Sequence, residues 1–200
     1  MTWKDIKLAT LQKMFSADGT EINVNDESVK EYVNAMPQAA NEGMQLLCTA
    51  GKYLRRCYEF EKAPGSRMTL DLKQDVPDFY SGEVEVYQIA EDGAPECAPG
   101  ARVVAGRYLV LPVEIGGKLQ YWYNARPQEI TLATPDKTEI ALDPEVVVLL
   151  PLYMAGQLYK EDDAGLATGY RNEFEAALER LEQAQAGVES DQFISVTNWI

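Results

Sequence analysis

Apolar positions recur at helical spacing near both ends of the chain and at strand spacing through its middle. Leu8, Leu11 and Phe15 fall on one face of a predicted N-terminal helix. Thr2 can cap that helix, with Asp5 three residues on as its capping-box partner, and the SADGT stretch at Ser16 to Thr20 stops it. A longer helix follows behind Asn25 or Asp26, with acids in its first turn, where the helix dipole is positive. Val29, Tyr32, Val33 and Met36 supply its stripe. Pro37 lacks an N–H and clashes with the preceding turn, so a kink or break is expected there. Apolar residues resume through Leu46, Leu47 and Cys48 until Gly51 closes the helix.

The period then shortens to two. YEFEK, MTLDL and EVEVYQI alternate between Tyr53 and Leu142, separated by the turn APGS and the longer connection DVPDFYSG. RYLVLPVEI, Gly116-Gly117 and KLQYWYNA predict a hairpin on a two-residue turn that tolerates positive φ. EITLA and EIAL predict a second hairpin around TPDKT. Alternation puts Tyr121 and Tyr123 on one face of their strand and Trp122 on the other.

Helical spacing returns at DPEVVVLLPLYMAGQLYKE. Asp143 caps it, Pro144 takes the first helical position and Glu145 favours the dipole. Val146 to Leu150 is apolar on every face, which predicts burial all round, and Pro151 should bend the helix. In the last helix Leu166, Tyr170, Phe174, Leu178 and Leu181 form the stripe, Glu173, Glu175, Glu179 and Glu182 the wet face, and Gly187 the stop. The tail VESDQFISVTNWI follows. This order predicts an α+β fold: a helical bundle of residues 1–52 and 143–186, a central antiparallel β domain inserted at 53–142, and an extended tail at 187–200. Leu158, Tyr159, Tyr170 and Phe174 are the residues whose packing would pair the last two helices. Phe193, Ile194, Val196, Trp199 and Ile200 would dock the tail on a partner by strand addition.

Composition narrows the chemistry. With 46% hydrophobic residues the chain can build a core. Eighteen basic residues against thirty-two acidic ones leave a net charge of -14. That balance opposes gripping of DNA phosphates or anionic membranes, yet suits a wall past which DNA slides. There is no histidine, which removes Ser-His-Asp and Cys-His catalysis and most zinc sites. Cys48, Cys57 and Cys97 are odd in number and lack C-x-x-C spacing, so they read as reduced thiols. No phosphate-binding glycine loop or nucleophile elbow occurs. The N-terminus lacks signal-peptide character, and the apolar stretch Val146 to Met154 is too short for a bilayer. We therefore expect no catalytic residue, no cofactor, no metal and no membrane.

Two clusters invite a functional reading. Glu161-Asp162-Asp163 could hold a metal or serve as acid and base, with Glu173 and Glu175 nearest in sequence, but a solvated turn does not split two carboxylate pKa values. Asp162 or Asp163 as the N-cap of the last helix accounts for the cluster more simply. The Tyr121-Trp122-Tyr123 run could stack a sugar, which makes a carbohydrate- or ligand-binding β module on a helical stalk the alternative function. Arg102, Arg107, Lys118 and Arg126 form a mildly basic region suited to an acidic neighbouring subunit.

From YWYNARP onward, through EITLATPDKTEIALDPEVVVLLPLYMAGQLYKEDDAGLATGYRNEFEAALERL, the chain resembles the C-terminal half of tailed-bacteriophage head-to-tail adaptor (connector, neck or head completion) proteins. There a strand feeds a capped apolar helix, and an acidic turn leads into a closing helix reading A-x-x-Y-x-x-x-F, here Ala167, Tyr170 and Phe174. The resemblance covers about residues 120 to 185. It implies a structural virion protein of the neck, between capsid and tail, made in the host cytoplasm. It implies a closed homo-oligomeric ring, often dodecameric, docked on the portal and touching tail or neck proteins. Double-stranded DNA would pass through that ring without specific binding.

Overall fold

The computed structural model describes residues 1–15, 26–51, 54–83 and 85–190. It combines helices with two antiparallel sheets, in keeping with an α+β fold. The chain divides into two compact units. One comprises Met1–Gly43, Ile130–Ile140 and the chain from Pro144 onward; the other comprises Met44–Glu129 and Ala141–Asp143.

In the first unit, α1 (Trp3–Phe15) starts on the predicted capping box. The Thr2 N–H and hydroxyl donate to the Asp5 carboxylate at 2.9 and 2.7 Å, and the Asp5 N–H donates back to the Thr2 hydroxyl at 3.3 Å. These bonds hold the Asp5 carboxyl below its usual range. The buried face is Trp3, Ile6, Thr10, Leu11 and Met14, so the stripe is rotated from the expected one. Phe15 is exposed and meets Tyr32 edge-on at 5.5 Å. The larger apolar set at 3, 6, 11 and 14 outweighs the Leu8-Leu11-Phe15 set, and the helix turns it inward, with the Thr10 hydroxyl satisfied by the Ile6 carbonyl.

Asp26 opens the next element, a 3-10 turn at Glu27–Val29, by accepting from the Ser28 N–H at 2.9 Å. This leads into α2 (Lys30–Gly51), which runs through Pro37 without a break. Met36, Pro37, Ala39 and Ala40 are all buried, and that packing offsets the missing hydrogen bond.

After α3 (Leu72–Asp75), a single turn in the second unit, the capped apolar helix comes as two pieces, α4 (Pro144–Val147) and α5 (Leu150–Leu158). Pro151 has no N–H for the Val147 carbonyl, and the chain tightens there, with the Leu149 N–H on the Val146 carbonyl at 3.0 Å. Val146, Val147, Leu149 and Leu150 are buried, but Val148 is 52% exposed, so the segment is not covered all round. Gly43 of α2 meets α5 closely: a Cβ there would lie 2.7 Å from both Leu150 and Tyr153. The last helix, α6, spans Ala164–Ser190 and runs past Gly187, which does not stop it. A helical Gly costs only about 1 kcal/mol against Ala, too little to end a helix by itself.

The second predicted hairpin does not form. Ile130–Ile140 instead lies along the start of α1. The Trp3 and Lys4 N–H groups donate to the carbonyls of Thr138 and Asp136 at 2.8 and 2.9 Å, and Thr2 bridges Glu139. Free N–H groups in a first helical turn need acceptors, and this segment supplies them. Asn41 fixes its near end, accepting from the Ile130 N–H and donating to the Ile130 carbonyl, each at 2.8 Å.

The second unit holds both sheets. The larger is built on β8 (Gly117–Ala125), which pairs with β1 (Arg55–Lys62) along one edge. Along the other edge it pairs with β4 (Val86–Ile89) and β3 (Phe79–Ser81). Beyond β4 lies β5 (Pro95–Cys97). The smaller sheet has the order β2 (Met68–Asp71), β7 (Tyr108–Leu111), β6 (Arg102–Val104). One apolar cluster joins them: Leu70, Leu109 and Leu111 from the smaller sheet, with Phe79, Val86, Leu119, Tyr121 and Tyr123 from the larger. Each such side chain contributes roughly 1.5–3 kcal/mol when fully buried.

The Gly116-Gly117 hairpin is thus also absent: β7 and β8 belong to different sheets. Pro112 follows β7 directly and has no N–H to extend a ladder. The glycines carry the chain from one sheet to the other. Gly117 has φ 91°, and a Cβ on Gly116 would lie 2.9 Å from the Pro64 Cα. Because that neighbour is backbone, Gly116→Ala should destabilise the protein by about 1–3 kcal/mol, read as a lower urea midpoint at unchanged slope. An unchanged midpoint would show that the close approach is not needed.

Candidate functional site

The acidic turn resolves residue by residue. Asp163 caps α6, its carboxylate accepting from the Gly165 and Leu166 N–H groups at 2.9 and 3.0 Å. Asp162 accepts instead from the Tyr32 hydroxyl at 2.6 Å, and that bond pushes the Tyr32 phenol up to about 12. Glu161 is exposed. Among the described residues no cluster of three metal-ligating side chains occurs.

Two of the four helix-pairing residues, Tyr159 and Tyr170, meet at the end of α1. The rings of Tyr159 and Tyr170 stack at 6.2 Å with 3° between planes. Their hydroxyls donate to the carbonyls of Met14 and Lys13, two of the acceptors that α1 leaves open in its last turn. Phe174 is buried and meets Tyr153 edge-on at 5.3 Å. Leu158 is half-buried. Gly156 admits the backbone of α6, for a Cβ there would lie 3.3 Å from the Ala167 carbonyl oxygen. The inner face of α6 is Ala167, Tyr170 and Phe174, whereas Leu166 is exposed, which corrects the stripe. Phe193, Ile194, Val196, Trp199 and Ile200 lie outside the described residues.

A second arrangement occupies the larger sheet. Alternation along β8 buries Tyr121 and Tyr123 and leaves Trp122 outside, 37% exposed. Around Trp122 lies an open groove of about 420 Å³ lined by Arg55, Glu85, Tyr87, Pro95 and Gln120. Arg55 and Glu85 form an ion pair, and the Gln120 amide donates to Glu59 at 2.8 Å. On the inner side, Tyr123 donates to Asp78 at 2.7 Å and Asp78 pairs with Arg56 at 2.6 Å. The Tyr121 hydroxyl is buried without a hydrogen-bond partner among the described residues. Burial, with Glu85 adding to it, pushes its phenol up to about 12. Burial and the Asp78 bond raise Tyr123 as well. Of the basic residues, Arg107 is committed to a forked pair with Asp71, while Arg102, Lys118 and Arg126 are exposed.

Local pattern could place Trp122 on the outer face but could not bring Tyr87, Glu85 and Arg55 beside it. Tyr32, Tyr153 and Asn41 also gain their roles only from distant partners. No protein-family model matches the chain, and no curated protein matches it.

Asp163→Ala should destabilise the protein by about 1 kcal/mol in urea denaturation, and Asp162→Asn by clearly less. Equal losses would mean that the two acids share the capping. Tyr121 and Tyr123 favour their neutral forms more when folded than when unfolded. Their stabilisation is therefore complete below the ordinary phenol value of 10.0 and is lost as pH rises through the raised folded values. Urea midpoints should fall between about pH 10 and 12, and Tyr121→Phe should flatten that fall. An identical fall in the variant would assign the effect elsewhere.

Proposed function

We propose that the protein is a subunit of a head-to-tail adaptor ring in the neck of a tailed-phage virion. It sits beneath the portal and forms part of the channel through which DNA leaves. The observation that carries this reading is the closing helix pair: an apolar helix, a short acidic turn with a capping Asp163, and a helix that packs through Ala167, Tyr170 and Phe174. These are the residues on which the adaptor resemblance rests. In this reading the helices of the two ends form a bundle, the β-rich segment is an insertion within it, and the tail is extended.

Its partners are copies of itself in a closed ring, often dodecameric in such proteins, together with the portal and tail or neck proteins. The net charge of -14 agrees with DNA that passes without being held. Exposed Leu132, Val148 and Leu166 in the first unit are apolar positions available for contact between subunits. No helix among the described residues is long and apolar enough to cross a membrane. The reading needs neither cofactor nor catalytic group.

Negative-stain images of the protein mixed with its portal should show stacked rings. Failure to bind any portal at micromolar concentration would overturn the reading. Within it, deleting Gln192 to Ile200 should weaken assembly while leaving far-ultraviolet circular dichroism nearly intact. Loss of the folded signal would instead assign the tail to folding.

A further inference from the structure

The groove around Trp122 has a chemistry that the adaptor reading does not use. We propose that it is a binding site for a neutral carbohydrate, with one pyranose ring stacked on the Trp122 indole. This inference stands whether or not the protein forms a ring.

Register builds the site. Partners across an antiparallel ladder point to the same face of a sheet. Cys57 lies opposite Trp122, and the Trp122 N–H donates to the Glu85 carbonyl, so one outward row runs Cys57, Trp122, Glu85. The next row runs Glu59, Gln120, Tyr87, Cys97. Trp122, Glu85, Gln120 and Tyr87 are thereby neighbours on a rigid floor, with Arg55 and Pro95 completing the walls. Four strands, β1, β8, β4 and β5, hold these positions, so the surface exists before any ligand arrives. Its volume, about 420 Å³, falls in the range of roughly 300–1,000 Å³ usual for small-ligand sites.

The lining selects the ligand class. The apolar part of the lining is a partly exposed indole with a phenol and a proline near it. The polar groups are a carboxylate, a guanidinium and a carboxamide. Together they offer acceptors, donors, and one group that does both. A pyranose presents the complement: an apolar C–H face, and hydroxyls that donate and accept from adjacent carbons.

Charge argues against the competitors. The Arg55 charge is already matched by Glu85, so an anion must displace Glu85 and a cation must displace Arg55. Nucleic acid is opposed further by the acidity of the whole chain. A proline-rich peptide would also use the aromatic floor. Its main chain is poor in N–H groups, however, and would offer the Glu85 carboxylate no donor beyond Arg55.

The test uses the full chain on an array of neutral and acidic glycans, followed by titration calorimetry with the neutral oligosaccharides retained. Trp122→Ala should weaken binding roughly tenfold or more with the circular dichroism spectrum unchanged. Glu85→Gln keeps the shape of the wall, removes the charge-assisted acceptor, and should also weaken binding. It serves as the deciding variant if Trp122→Ala misfolds. Arg102→Ala, outside the groove, should bind as the parent does. Retention of no glycan overturns the proposal. So does retention of acidic glycans alone, binding of a proline-rich peptide in their place, or neutral-glycan binding that survives both groove substitutions.

Discussion

β8 has to satisfy three partners at once. Its nine residues pair with β1 along one edge and with β4 and β3 along the other, so that Tyr58, Tyr121 and Val86 lie in register across the sheet. A slip of one residue would exchange its faces. Tyr121 and Tyr123 would go to water, and the Gln120 amide and Trp122 would enter the core that now holds Leu119 and Phe79. Burying that amide without a partner costs about 1–3 kcal/mol on mutational evidence, and the lost aromatic burial adds to it. The alternation that fills the core is also what sets Trp122 and Gln120 on the floor of the outer groove. Core and groove are therefore two results of one register.

The first unit relies on a different device. Two of its helices are short, four residues in α4 and nine in α5, below the length at which an isolated helix is stable in water. Side chains therefore satisfy main-chain groups that the helices leave open. Asp5 and Asp163 serve helix starts, Tyr159 and Tyr170 serve the end of α1, and Asn41 acts toward Ile130 as an adjoining strand would. Tyr159 and Tyr170 also stack, so the same two side chains join α5 to α6 and both to α1. This explains why tyrosines rather than phenylalanines stand at those positions: the rings alone would pack, but the carbonyls of Lys13 and Met14 would lack these donors.

What could be read from the sequence follows the range of each signal. The Thr2–Asp5 box spans four residues and both of its partners are local, so its pattern is sufficient. The choice between Asp162 and Asp163 depends on Tyr32, which lies far away in sequence, and local pattern stops at the pair. The Gly116-Gly117 turn carried a strong hairpin signal that was outvoted by Pro112, which ends β7, and by partners for β8 drawn from β1 and β4. The TPDKT hairpin lost to the open N–H groups of α1. Pro37 and Gly187, both read as breakers, were overridden because propensity is worth about 1–3 kcal/mol and packing can exceed it. Alternation placed Trp122 correctly. Glu85, Tyr87 and Arg55 could not be joined to it without the strand order β1-β8-β4, which no short pattern encodes.

Charge then constrains what either unit can contact. With fourteen more acids than bases, most of the surface repels anions and other copies of the chain alike. The basic side chains Lys7, Lys30, Arg55, Arg56, Arg107 and Arg171 each face a carboxylate, so these six are already matched. Apolar area and groups whose charges already cancel give two routes to recognition that this repulsion does not oppose. In the first unit the apolar area is Leu132, Val148 and Leu166; in the second, the cancelled charges are Arg55 and Glu85 beside Trp122. The first kind of surface suits repeated contact between subunits, where apolar burial must exceed a repulsion that salt screens. The second suits an uncharged ligand rich in hydroxyls. Neither surface is organised to hold a phosphate backbone, in keeping with the proposed channel wall past which DNA slides.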